Sequence, residues 1–181
     1  MLWTAIYFFD RDGMMVSLAA AAAVHELSHI GAILCAGGRA EGLNFRVTGL
    51  EILCRTELMS YGREFLCAGA GPLGSIALAV TASKTGLYTL AGVSLVLGLY
   101  NLLPISFLDG GKMLYCAAAR FAGCDAGEKT VFISGIVTVA ALGIAGVWLR
   151  RRRLLYFALI LGICCCKNGR KGVKSKHKAR V

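Results

Sequence analysis

Between Met14 and Cys35 the chain runs with Glu26 as its one formal charge, and it carries His25-Glu26-Leu27-Ser28-His29 in the second half of that run. A stretch this long and apolar is a candidate membrane helix, because about 20 apolar residues cross the hydrocarbon core. On a helix, His25 and His29 stand at i and i+4, on one face, where two imidazoles can reach one zinc ion. The Glu26 carboxylate beside them can activate a metal-bound water. Ionisable groups are costly in lipid, so their presence there marks a functional site. Fold and chemistry are thus constrained together: a membrane helix with a metal-binding face.

The rest of the composition agrees. Hydrophobic residues make up 57% of 181, and the mean hydropathy of +0.67 is too high for a soluble globule. The expectation is an all-α polytopic membrane protein with about five to six transmembrane helices, and a small β-hairpin between the first two core helices. One membrane-embedded domain covers residues 1–166, and a basic tail covers 167–181. Met1 to Phe9 is apolar but lacks a basic start, and Asp10-Arg11-Asp12 follows it, so no cleavable signal peptide is expected. None of the eight cysteines forms a C-x-x-C pair, which excludes zinc-ribbon and thioredoxin readings. The thiols read as small buried apolar groups.

The net charge of +10 is concentrated. Seven of the twenty basic residues follow Cys166, and four more form Arg150 to Arg153. A basic tail beside a membrane helix marks the cytoplasmic side and meets anionic headgroups. No nucleic-acid partner is expected, since the tail has neither interleaved aromatics nor a binding motif.

Along the chain, helices are expected over Met14–Ala36, Glu64–Ala82, Leu87–Leu103, Thr130–Leu149 and Leu154–Cys166. The last is short for a full span. Residues 39–62 alternate loosely and contain β-branched and aromatic residues, which predicts a hairpin at the interface or against the protein's own cavity. Gly69, Gly71, Pro72, Gly74 and Ser75 in the second helix read as a packing device. After Pro104 ends the third helix, Asp109-Gly110-Gly111 reads as a turn, and Lys112–Ala122 as a short helix. With a cytoplasmic tail and all five segments spanning, fourteen of the twenty basic residues lie inside. That orientation places His25, His29 and Asp109 within an integral membrane protein, toward its cytoplasmic face.

A catalytic zinc usually takes three protein ligands and keeps one position for water. Asp109 is the best candidate for the third. Glu57 and Glu64 belong to a polar loop, and Asp125 and Glu128 read as loop charges.

HELSH in the first core helix, GPLGS in the second and NLLPISFLDGG after the third together resemble the site-2 protease family of intramembrane zinc metalloproteases. The resemblance covers about Met14 to Ala122. It implies that His25, His29 and Asp109 hold Zn2+, that Glu26 is the general base, and that Asn101 helps to hold the substrate strand. It also implies a membrane-tethered protein substrate, such as a sigma or anti-sigma factor. The lipid bilayer is the setting, expected to be a bacterial cell membrane, and there is room for a regulatory membrane partner. The pattern looks most like the small branch that processes sporulation sigma factors. Two positions depart from the family: Phe107 stands where a second proline is common, and Ser75 where asparagine is common. Two other function classes fit the His pair, a membrane metal-ion carrier and a catalytically silent client-binding protein.

Overall fold

The computed structural model describes residues 13–37, 40–46, 49–54, 60–148 and 160–162. The expectations for residues 1–12, the Arg150–Arg153 block and the basic tail lie outside these residues. So does the last helix, apart from a helical turn at 160–162. The chain divides into two compact units, Met1–Leu102 and Leu103–Val181.

The first unit holds α1 (Met14–Cys35), β1 (Ala40–Arg46), β2 (Gly49–Cys54), α2 (Tyr61–Lys84) and α3 (Tyr88–Asn101). The two strands pair antiparallel, with Leu43 opposite Ile52 and Phe45 opposite Leu50. Helices α1 and α2 are each long and apolar enough to cross a membrane. At 14 residues, α3 rises about 21 Å, less than the hydrocarbon core of about 30 Å.

Apolar burial does not drive helices together in lipid, so close packing must do it. Small residues supply that closeness between α1 and α2. A Cβ on Gly74 would collide with Ser28, and one on Gly71 would collide with the His29 ring. The other side of α2 receives α3, where a Cβ on Gly98 would stand 3.1 Å from Ser75 Cβ and 3.2 Å from the Pro72 carbonyl oxygen. Pro72 lacks an N–H for the ladder, yet α2 continues through it, and the proline is fully buried. Arg63 Nη1 donates to the carbonyl of Ala36 at 3.5 Å, which places a cation at the negative C-terminal end of α1.

The second unit holds α4 (Asp109–Ala122) and α5 (Cys124–Trp148). Within α5, Cys124–Ala145 is the third helix long and apolar enough to span. Two boundaries differ from the sequence expectation. Helix α4 begins at Asp109, not Lys112, because extended Leu108 caps it and Lys112 N–H already donates to the Leu108 carbonyl at 3.1 Å. The two glycines after Asp109 are therefore helical rather than a turn. Gly111 is small for a packing reason, since a Cβ there would collide with the Ile105 carbonyl. Helix α5 begins at Cys124, six residues before Thr130. Gly123, at φ +84°, makes the break that separates it from α4. Asp125 and Glu128 thus belong to the first turns of a helix, where carboxylates are favoured by the helix dipole.

Several threonines on these helices satisfy their hydroxyls locally, as suits a lipid setting. Thr81, Thr130 and Thr138 donate to the carbonyls of Ala77, Ala126 and Ser134 at 3.0, 2.8 and 2.8 Å. The segment before α4 is tied to α5 by the Ser134 hydroxyl, which donates to the Pro104 carbonyl at 2.8 Å.

Candidate metal centre

Helix geometry puts His25 and His29 one turn apart on the face of α1 that meets α2, while Leu27 points away and is 62% exposed. The two rings meet edge to face, with centroids 4.8 Å apart. Their Nε2 atoms face one another at 3.2 Å. The outward nitrogen of each ring is bound to α2. His29 Nδ1 donates to the Cys67 carbonyl at 2.8 Å, and His25 Nδ1 lies 2.9 Å from Ser75 Oγ. His25 is 5% exposed and Ser75 is fully buried, so water does not compete for that bond.

This is the arrangement a tetrahedral ion asks for. Two nitrogens at roughly 2.0–2.1 Å from zinc in tetrahedral geometry stand about 3.3 Å apart. A second ring nitrogen engaged by an outer partner is the usual companion of a metal-ligating histidine. The donor chemistry of the pair fits zinc.

Glu26 follows His25 on the same turn and is half-buried. Among the described residues, nothing bonds to its carboxylate. In the second unit, Asp109 opens α4 and is 6% exposed, with Lys112 Nζ 3.3 Å from its Oδ1. Asn101 ends α3, where its Nδ2 donates to the Leu97 carbonyl at 3.0 Å, a bond within its own helix.

The GPLGS stretch does more than the packing role read from its small residues. Ser75, the last residue of that motif, touches His25 itself, and Gly71 makes the space in which the His29 ring lies. The backbone carbonyl of Cys67 could not be foreseen, since every residue has one. Ser75 left one signal in the sequence: a hydroxyl at the end of a stripe of small residues.

The profile of peptidase family M50 matches residues 57–144, a stretch that includes Asn101 and Asp109. Over that stretch, just under half of its length, the chain is similar to that family. Two curated proteins are similar to the chain. Rip3 of Mycobacterium tuberculosis, provisionally named a zinc metalloprotease, is 32% identical over 125 residues, covering 60% of this chain and 32% of that protein. The Streptococcus pneumoniae protein spr0242, also provisionally named a zinc metalloprotease, is 34% identical over 93 residues, covering 48% of this chain and 22% of that protein. The chain thus spans a third or less of the length of these relatives. Among solved structures, the site-2 protease from Methanocaldococcus jannaschii superposes with a TM-score of 0.66 over 85% of this chain and 76% of its own. At 20% identity that likeness shows a shared fold. Zinc is the metal that the similarity to these zinc metalloproteases implies, and the facing histidines suit it.

Proposed function

We propose that this protein is an intramembrane zinc metalloprotease that hydrolyses peptide bonds in or near transmembrane segments of membrane-tethered proteins. The observation that carries this reading is the pair of facing Nε2 atoms, 3.2 Å apart, next to an uncommitted glutamate on an apolar helix. Zinc, when bound, supplies Lewis acidity that polarises a carbonyl and acidifies water. His25 and His29 would hold it through Nε2. Asp109 is the third ligand in this proposal, supported by its burial and by its place in the L-D-G-G motif. Glu26 takes the proton of the attacking water on its carboxylate and returns it to the leaving amine.

A helical substrate hides its carbonyls in hydrogen bonds, so it must unwind before attack. The β1–β2 hairpin offers an edge to which such an extended segment can add, and Asn101 is the side chain proposed to hold it. Five to six spans, a catalytic centre toward the cytoplasm and a cytoplasmic basic tail complete the reading, supported by the charge asymmetry. A membrane-tethered sigma or anti-sigma factor as substrate is supported by the motif resemblance to the sporulation branch.

The test is metal analysis and cleavage of a panel of transmembrane peptides by detergent-purified protein, wild type against Glu26→Gln. Zinc in both with cleavage by the wild type alone establishes the protease. Zinc in both without cleavage in either leaves the ion-carrier or silent-binder class.

A further inference from the structure

Between Pro104 and the start of α4 the backbone has no helical ladder, so its carbonyls look to other partners. The Ile105 carbonyl takes the Leu108 N–H at 2.9 Å, which closes a turn. The Pro104 carbonyl takes the Ser134 hydroxyl of α5 at 2.8 Å. Among the described residues, Ser134 is the side chain of another element that hydrogen-bonds this segment.

The turn is fixed on its other side by α4. Ile105 is fully buried, and its carbonyl lies so close to Gly111 that a Cβ there would collide with it. Leu108, 6% exposed, caps α4 and accepts the Lys112 N–H at 3.1 Å. Asp109 follows as the first residue of the helix. Where its carboxylate stands therefore follows from where the turn stands.

The Ser134 hydroxyl has a second acceptor in reach, the Val131 carbonyl of its own helix at 3.0 Å. A hydroxyl has one proton, so the loop and the helix share it. Thr138, one turn further along α5, donates to the Ser134 carbonyl at 2.8 Å, a bond within the helix. The two hydroxyls thus separate a bond that reaches the loop from one that serves the helix alone.

We propose that Ser134 is a positioning residue for the metal centre, which sets the place of Asp109 by holding the Pro104 carbonyl. The inference rests on the zinc reading above, in which Asp109 is the third ligand. Ligands must be held within about 0.5 Å of the working geometry, so a small shift of the turn reaches the metal. The hydroxyl acts through the backbone of the turn.

The experiment titrates the full chain in detergent with zinc, and with cobalt, whose ligand-field bands report the ligand set and its geometry. Ser134→Ala should bind both metals about 10-fold more weakly, the low end of the cost of losing an outer partner, with altered cobalt bands. Ser134→Thr, which keeps a hydroxyl, should restore affinity and spectrum. Thr138→Ala should match the wild type. A Ser134→Ala protein with wild-type affinity and cobalt bands overturns the proposal. So does a Thr138→Ala protein that loses as much, since the loss would then belong to α5 at large. Should Ser134→Ala not fold, Ser134→Val against Ser134→Thr makes the same comparison, because these side chains share a shape and differ in the hydroxyl. A wild type that binds neither metal overturns the metal-site reading and this proposal with it, whereas equal binding by wild type and Ser134→Ala overturns the proposal alone.

Discussion

A glycine at 71 on α2 and His29 on α1 occupy space that one more carbon atom would fill: a Cβ at 71 would run into the imidazole ring. His29 therefore lies in a recess of its neighbour helix, and the depth of that recess is set by a missing side chain.

Gly71→Ala should displace the His29 ring and weaken zinc binding, with an overpacking cost of about 1–3 kcal/mol. Gly74→Ala meets Ser28 instead, so its effect should fall on helix packing more than on zinc. Gly31→Ala, in open space on α1, should leave the zinc affinity unchanged. Zinc titration of the three variants checks the order.

Glu26→Gln keeps size and polarity but removes the base. The expected result is a loss of cleavage of roughly 10²- to 10⁴-fold with zinc content unchanged. A fall in zinc content would mean that Glu26 helps to hold the metal. Metal analysis on the same preparation used for the rate settles which.

Chelation should lower thermal stability. A ligand at 100 times its Kd stabilises the folded state by about 2.7 kcal/mol. Unfolding in detergent should therefore shift upward as free zinc rises, and the shift should vanish in His29→Ala. A zinc-dependent shift of equal size in His29→Ala would point to binding elsewhere.

Ser134→Ala removes the bond that ties the Pro104 carbonyl to α5. The expected cost is about 1 kcal/mol, with faster amide exchange at the Leu108 and Lys112 N–H groups that shape the start of α4. Unchanged exchange there would show that this turn holds itself.

Much of this protein is written in local patterns. The apolar run with HELSH determines α1 and its two-histidine face, because a helix period places residues 25 and 29 together wherever the helix forms. Apolar length likewise determines α2 and the body of α5, and proline ends α3 close to where the sequence places it. What the sequence left undecided depends on the backbone conformation at helix boundaries and on contacts between distant residues. Asp109 joins a helix because Leu108 caps it and the Ile105 carbonyl needs Gly111. Likewise, α5 starts at Cys124 because Gly123 takes a left-handed backbone. The outer partners of the two histidines, Ser75 Oγ and the Cys67 carbonyl, come from a helix about 40 to 50 positions away, brought in by the close approach that small residues permit. Composition announces that two helices can approach closely, but only the packed register decides which atoms then meet.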